Sequence, residues 1–183
     1  VYGGVVKGPL PSFERPLLGV AVALCFCTPA ALANPAGEKV VSGSASFARS
    51  GSTLTVTNTP GAIINWQQFS IQRGELTRFI QQSPSSSVLN RVVGQDPSSI
   101  LGQLQSNGRV FLINPNGIVF GAGAQIDVAG MVASSLNISD ADFLAGRMRF
   151  VGTGREGAVS NFGDIRTSLG GRVTYITPST TIG

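Results

Sequence analysis

The sequence predicts an all-β protein whose short strands are arranged as a solenoid of coils. Runs of β-forming residues alternate with turns rich in glycine and asparagine, and glycine accounts for 24 of the 183 residues, well above the usual share of about 7%. No stretch shows a sustained apolar stripe with the period of an amphipathic helix. On periodicity alone, an ordinary β-sandwich, whose strands recur roughly every 8–12 residues, remains the alternative.

Composition excludes several classes of protein. Charged residues make up 12% of the chain and hydrophobic residues 42%, which is atypical of a disordered tail. The net charge is +4, but the basic residues are scattered and form no stripe, so we expect no nucleic-acid partner. The chain has no histidine, which excludes histidine-based catalytic triads and histidine-ligated metal sites.

The N-terminal segment 1–33 has the pattern of a cleaved signal peptide. An uninterrupted apolar run, Leu17–Cys27, follows the basic residues Lys7 and Arg15 and precedes a small-residue end at Ala33. The run is too short for a membrane-spanning helix, which needs about 20 apolar residues. We expect the inner-membrane translocon to export this chain and signal peptidase to cut it after Ala33, which leaves a mature segment without cysteine.

The mature segment reads as a series of short strands. Thr53–Thr57 alternates apolar and polar residues, as a strand with one buried face does. The further predicted strands are Ala62–Trp66, Phe69–Ile71, Arg109–Ile113, Gly117–Gly121, Gln125–Val128, Gly130–Ala133, Arg149–Val151, Asp164–Thr167 and Arg172–Ile176.

Two short segments are candidates for helices, and one dipeptide is a candidate for a hairpin turn. Asp96–Leu101 could form a turn of helix with Asp96 as its cap, and Ser139 could cap a helix over Ser139–Leu144. Asn107-Gly108 separates two apolar segments and predicts a hairpin, since Asn-Gly is typical of tight turns with positive φ.

Two internal repeats favour the solenoid. Gly108–Pro115 recurs as Gly171–Pro178, at an offset of 63 residues that corresponds to three coils of 21. Ala124–Asp127 recurs as Gly163–Arg166, at an offset of 39 that is close to two coils. A period near 20 residues with glycine and asparagine corners is typical of stacked β-coils.

Alternation along the strands predicts which side chains form the core. Because neighbouring residues of a strand point to opposite faces, Val110 and Leu112 should share one face, with Phe111 and Ile113 on the other. The predicted core positions are Val110, Leu112, Ile126, Ile165, Val173 and Ile176.

The sequence contains no set of residues typical of an enzyme active site, and we expect neither catalysis nor a cofactor or metal site. The acidic residues of the mature segment are spread out, and Asp140 and Asp142 fit a helix cap or a solvated pair better than a catalytic dyad. No acidic cluster has the spacing of a calcium loop. The serines lack the surroundings of a nucleophile.

The most informative motif is the run Asn114-Pro115-Asn116-Gly117-Ile118. Proline restricts φ and removes a donor, and Asn-Gly supplies positive-φ positions, so the run predicts a sharp corner between two apolar strands. The side-chain amides of Asn114 and Asn116 could stabilise this corner or face a partner. We prefer the structural role.

Together with its flanks, this corner resembles the two-partner secretion domain of filamentous haemagglutinin-type exoproteins. The resemblance covers essentially the whole mature segment, 34–183. The family often has an additional Asn-Pro-Asn-Leu motif further upstream, and this motif is absent from the sequence. The matching segments are Ile63–Ile71, Val88–Val92, Ile100–Leu104, Asn107-Gly108, Val110–Gly121 and Val132–Ser139.

This resemblance implies a fold and a function. The fold would be a right-handed, single-stranded parallel β-helix with small hairpin and cap elements outside the helix. The function would be secretion targeting, in which a dedicated outer-membrane β-barrel with periplasmic polypeptide-transport domains recognises the domain and starts export and folding. The recognition motif would be Asn114-Pro115-Asn116-Gly117-Ile118.

The resemblance also implies what the complete protein does. It would be a large adhesin of a Gram-negative bacterium, secreted or held at the cell surface, with haemagglutination and virulence as its expected roles. The present chain would be its N-terminal part, and host cells or glycans would be bound by the missing C-terminal part. The alternatives are a β-helical polysaccharide-cleaving enzyme and a solenoid that binds glycans directly.

Overall fold

The computed structural model describes residues 34–183 together with Gly3, Gly4 and Gly8, so the predicted leader and its cleavage site lie outside the described residues. The described segment is almost entirely β, and none of its helices is long and apolar enough to cross a membrane. Its elements are β1 (Lys39–Ser42), β2 (Ala45–Ser50), β3 (Thr53–Asn58), β4 (Ala62–Trp66), β5 (Leu76–Ile80), β6 (Ser87–Val92), β7 (Ser98–Ile100), β8 (Gln103–Ile113), β9 (Ile118–Phe120), β10 (Gln125–Ser134), β11 (Asn137–Ile138), α1 (Asp140–Leu144), β12 (Phe150–Val151), β13 (Val159–Asn161), β14 (Asp164–Thr167), β15 (Val173–Ile176) and β16 (Thr180–Ile182).

The strands form three parallel columns. The first column stacks β3, β5, the beginning of β8, the beginning of β10, and β14. The second column stacks β4, β6, the end of β8, the end of β10, and β15. The third column stacks β7, β9, β13 and β16. Successive turns of the chain thus supply successive strands of each column, which confirms the predicted parallel β-helix.

A continuous apolar core fills the space between the columns. Val110, Leu112 and Ile126 are at most 1% exposed in this core, as predicted. Phe111 and Ile113 are also buried, but in a separate cluster on the outer side of the second column. The predicted alternation along this strand is therefore confirmed, since neighbouring side chains enter different clusters.

The predicted core positions in the last turn differ from the first three. Ile165 is half-buried against the core. Val173 is in register with the core residue Met131, but it is 36% exposed because β15 pairs with β10 alone among the described strands. Ile176 is only half-buried, and its register with Ser134 and Ile113 places it on the outward side. The core prediction is wrong for these two residues.

Antiparallel strands cover the first turn. β1 runs antiparallel to β4, and β2 runs antiparallel to β3. Phe47 of β2 packs edge-on against Trp66 of β4, with ring centroids 5.6 Å apart. These two strands are cap elements of the kind that the resemblance implied.

The segment 137–151, here called the excursion, leaves the solenoid and packs on the outer side of the second column. β11 and β12 pair antiparallel and flank α1, whose predicted cap is confirmed because the Ser139 side chain accepts a hydrogen bond from the Asp142 backbone N–H. Ile138 and Phe143 are buried against Phe111, whose ring centroid lies 5.2 Å from that of Phe143.

Because of the excursion, the two sequence repeats span fewer coils than predicted. Val110 pairs with Met131, and Met131 pairs with Val173, so the offset of 63 spans two coils rather than three. Ile126 pairs directly with Ile165, so the offset of 39 is one coil rather than two. The period was misread because the excursion lengthens one coil.

Three predictions of local structure are wrong. Asn107-Gly108 makes no hairpin, because β8 runs through it and pairs in parallel with β5 on one side of it and β6 on the other. Asp96–Leu101 is not a helix, because Ser98–Ile100 forms a strand that pairs with β9. Phe69–Ile71 forms only an isolated bridge, between Ile71 and Ile100. In the first two cases pairing between turns prevails over local preference.

Candidate functional site

The predicted corner joins β8 to β9 at the edge between the second and third columns. A tight turn closes it, in which the Gly117 backbone N–H donates to the Asn114 carbonyl over 3.0 Å. Gly117 has φ +106°, and a Cβ there would lie 2.9 Å from the Ala158 carbonyl oxygen. Asn116 was also expected to supply a positive φ, but only glycines do so among residues 34–183. Glycine is thus required at position 117 on two grounds.

Asn114 uses its whole side chain inside the protein. The residue is fully buried, and its Nδ2 donates to the Asp96 carbonyl and to Ser98 Oγ, each over 3.0 Å. Its Oδ1 accepts from the Asn116 backbone N–H over 2.9 Å and from Asn116 Nδ2 over 3.1 Å. The amide therefore ties the corner to the preceding turn and leaves no polar atom free for a partner.

Pro115 and Asn116 are the exposed residues of the corner. Asn116 Nδ2 also donates to the Gly94 carbonyl over 3.0 Å, and the Pro115 carbonyl accepts from the Gly157 backbone N–H over 2.9 Å. Ile118 is fully buried at the start of β9. The corner is thus connected to the turns before and after it, and its free surface is the ring of Pro115 and one edge of Asn116.

Sequence reasoning missed two glycines that this corner needs. A Cβ on Gly157 would lie 2.4 Å from the Asn116 carbonyl oxygen, and a Cβ on Gly94 would lie 2.0 Å from the Gln67 carbonyl oxygen. Both clashes are with backbone of another turn, so they depend on how the turns stack. The sequence signal available was only the presence of a glycine in a loop.

Several carboxylates of the described segment serve local structure. Asp140 pairs with Arg91 and Asp164 pairs with Arg166, at 2.8 and 2.7 Å. A hydrogen bond from the Ser139 hydroxyl, reinforced by one from Arg147, lowers the pKa of Asp142. Within residues 34–183 no three acidic or cysteine side chains come together as metal ligands.

A comparison with family models identifies the family to which this parallel β-helix belongs. The TPS secretion domain matches residues 31–182, which is nearly all of the described segment. The chain belongs to this family. TPS is the two-partner secretion named above.

Known proteins similar to this TPS domain come from Haemophilus influenzae. Two heme/hemopexin-binding proteins are 38% identical over 105 residues and 39% identical over 77 residues, which are 57% and 42% of this chain. The matches span only 12% and 8% of the lengths of these relatives. The crystal structure of the HMW1 secretion domain superposes with a TM-score of 0.75 at 35% identity, covering 81% of this chain and 42% of that one.

Proposed function

We propose that this TPS domain directs a large exoprotein to its outer-membrane transporter in the periplasm and forms the first turns of the β-helix as export proceeds. The observation that carries the proposal is the match of the family model over 31–182, a range that includes every strand of the parallel stack. The recognising part of the transporter would be its periplasmic polypeptide-transport domains. Stacking of turns outside the cell would favour forward movement of the chain, since each turn buries apolar surface against the previous one.

Cleavage after Ala33 belongs to the same proposal. It is supported by the way the described fold begins, because Asn34 is only 4% exposed. Asn34 Oδ1 accepts from the Thr77 hydroxyl over 2.9 Å, and Asn34 Nδ2 donates to the Ser52 carbonyl over 2.9 Å. The first residue after the proposed cut is therefore integrated into the fold. N-terminal sequencing of exported protein should start at Asn34, and a terminus that retained Leu17–Cys27 would contradict it.

The complete exoprotein would be an adhesin, secreted or retained at the outer membrane, that contacts host cells or glycans. This part of the proposal is supported by the resemblance of the corner and its flanks to filamentous haemagglutinin-type exoproteins. It concerns sequence outside the present chain, since the matches span a small fraction of the relatives' length.

The test is export of the chain in cells that produce or lack the β-barrel encoded beside it. We expect processed chain in the medium or on the surface when the barrel is present, and in the periplasm when it is absent. A third strain with a barrel lacking its periplasmic domains should behave like the strain without a barrel. Export that does not depend on the barrel would overturn the proposal.

A further inference from the structure

The folded stack has a surface groove in which basic and apolar side chains occur together. The groove has a volume of about 570 Å³, lies on the outer side of the second column, and is lined by Arg109 and Arg172 but by no acidic residue. We call it the basic groove. Its walls come from β8, β10 and the chain before β15, so it exists only after these turns have stacked.

The register of the stack places the two arginines on either side of one glycine. Arg109 of β8 is in register with Gly130 of β10. Arg172 stands beside Gly130 on the other side, since its carbonyl accepts from the Met131 backbone N–H over 2.9 Å. Two steps between neighbouring strands separate the backbones of the arginines by roughly 9–10 Å. A Cβ at Gly130 would lie 3.3 Å from Arg109 Cγ, so the glycine leaves the space between the two side chains open.

The two arginines have no counter-charge in the protein. Neither guanidinium group makes a hydrogen bond or an ion pair within residues 34–183, and both residues are exposed. By contrast, three other arginines each pair with a carboxylate at 2.8–2.9 Å, namely Arg49, Arg91 and Arg147. The basic groove therefore presents two unpaired positive charges to solvent, and it favours an anionic ligand.

Apolar side chains border the basic groove and stand out from the surface. Leu169 is fully exposed and Met148 is 57% exposed. Leu169 lies at the tip of a turn that is closed by a hydrogen bond of 2.8 Å from the Gly171 N–H to the Ser168 carbonyl. Gly170 has φ +80°, as the third residue of a type II turn does. Proteins that bind a membrane surface combine such apolar groups with electrostatic attraction to anionic lipids.

We propose that the basic groove binds the phosphate groups of anionic lipids in the outer leaflet of the outer membrane, and that Leu169 and Met148 enter the boundary between headgroups and acyl chains. Charge complementarity and the apolar border together select this occupant. A soluble polyanion would satisfy Arg109 and Arg172 but would leave Leu169 in water. Guanidinium groups bind phosphate through paired hydrogen bonds, which orients the contact.

The proposed lipid contact begins only after export. The inference rests on the proposed function, in which the turns stack outside the cell beside the barrel and therefore beside this leaflet. The chain in transit has no such site, because its turns have not yet stacked. Two arginines and a small apolar border give a reversible contact. This contact would hold the newly folded domain at the cell surface while the rest of the chain follows.

The test measures co-sedimentation of purified residues 34–183 with phosphatidylcholine vesicles that contain or lack lipid A, the phosphorylated lipid of that leaflet. These residues belong to one compact unit, and the fluorescence of the buried Trp66 checks that each preparation is folded. We expect binding only to vesicles with lipid A, and weaker binding at high salt because salt screens the attraction. Arg109→Glu/Arg172→Glu should raise the lipid concentration for half-maximal binding at least about tenfold.

Two further variants separate the groove from net charge and from folding. Arg73→Glu/Arg155→Glu makes the same change in net charge at exposed arginines outside the groove, and it should bind close to the wild type. Leu169→Ser should weaken binding to lipid A vesicles, while its melting temperature stays that of the wild type because the side chain is fully exposed.

Three results would overturn the inference. The first is a wild-type segment that ignores lipid A, and the second is wild-type binding in both groove variants. The third is equally tight binding to soluble heparin that Leu169→Ser does not change, which would make the groove a site for polyanions. Each of these leaves barrel-dependent export untouched, whereas export without the barrel would overturn the proposed function and leave the vesicle measurement readable.

Discussion

At the residue scale, Asn114 and Asn116 stand two positions apart in the same motif but are placed very differently. Asn114 is fully buried and its amide is hydrogen-bonded to two neighbouring segments of chain. Asn116 is exposed and reaches the Gly94 carbonyl from the surface. Such a difference in burial separates folding from recognition, because a fully buried amide can affect a partner only through the fold.

Alanine substitutions test this division. Asn114→Ala leaves the buried Ser98 hydroxyl and the Asp96 carbonyl without their donor, so the free energy of unfolding should fall by about 2–3 kcal/mol. Asn116→Ala should lower it by about 1 kcal/mol. Urea unfolding and barrel-dependent export are measured together. Parallel losses support the structural role, whereas lost export with unchanged stability in either variant would make that amide a recognition group.

We expect the Glu156 carboxylate to contribute to the acid sensitivity of the fold. Its hydrogen bond from the Thr153 backbone N–H, with further ones from the Thr153 hydroxyl and the Gly154 N–H, lowers the pKa of Glu156 to about 2. Since the folded pKa lies below the unfolded value of 4.5, this group stabilises the fold above pH 4.5 and loses its contribution as the pH falls towards 2.

Glu156→Gln should therefore flatten the loss of stability between pH 4.5 and 2, measured as the urea midpoint at each pH. Asp142, whose pKa is also lowered, is still present in the variant, so some loss of stability with falling pH should remain. An unchanged pH profile in Glu156→Gln would show that the loop opens before this carboxylate is protonated.

At the element scale, one arginine fastens the excursion to the solenoid. Arg91 of β6 donates through Nε to Asn137 Oδ1 over 3.0 Å and through Nη2 to the Ile138 carbonyl over 2.7 Å. Nη2 also lies 2.8 Å from Asp140 Oδ1, and the arginine side chain is only 15% exposed. These contacts hold β11 and the start of α1 over the outer apolar cluster, which would otherwise face water.

Arg91→Leu should remove these hydrogen bonds and loosen the excursion from the solenoid. We expect the free energy of unfolding to fall by about 1.5–3 kcal/mol, because hydrogen bonds to a charged group are lost, and we expect faster proteolysis within 137–151. The matched control is Arg166→Leu, whose side chain is 77% exposed in its pair with Asp164 and should matter by less than about 1 kcal/mol. Equal effects of the two variants would show that the excursion is held by its apolar contacts alone.

At the scale of the whole molecule, stability comes from stacking turns on one another. The first column places Leu54, Thr77, Leu104 and Ile126 in successive registered positions, and each is at most 1% exposed. A turn of this kind contacts only its neighbours, so a defect in the middle of the stack removes support from both sides.

A buried charge in the stack should therefore lower the free energy of unfolding strongly. Leu112→Asp puts a carboxylate at a fully buried position and should destabilise by roughly 3–5 kcal/mol, whereas Val119→Asp at a 39% exposed position of β9 should be tolerated. Trp66, the single tryptophan and fully buried, reports the outcome by its fluorescence in urea. Similar unfolding curves for both variants would contradict the assignment of Leu112 to the core.

Local patterns predicted the features that depend on a few adjacent residues. The alternation of Val110 to Ile113 follows from the geometry of a single strand, and the cap at Ser139 follows from one side chain reaching one turn of helix. Gly117 was recognisable because no other residue tolerates its φ easily. The family was recognisable because the corner and its flanks form a specific run of residues.

What adjacent residues do not encode was decided by the tertiary structure. Pairing between turns made a strand of Ser98–Ile100 and carried β8 straight through Asn107-Gly108, because hydrogen bonds to neighbouring turns outweigh local turn preference. The period of the coils was not visible in the sequence, because the excursion adds residues to one coil without adding a turn to the stack. The sequence by itself therefore determined most of the strands and the corner, whereas the stacking of turns decided the remaining strands and the surfaces that all of them form.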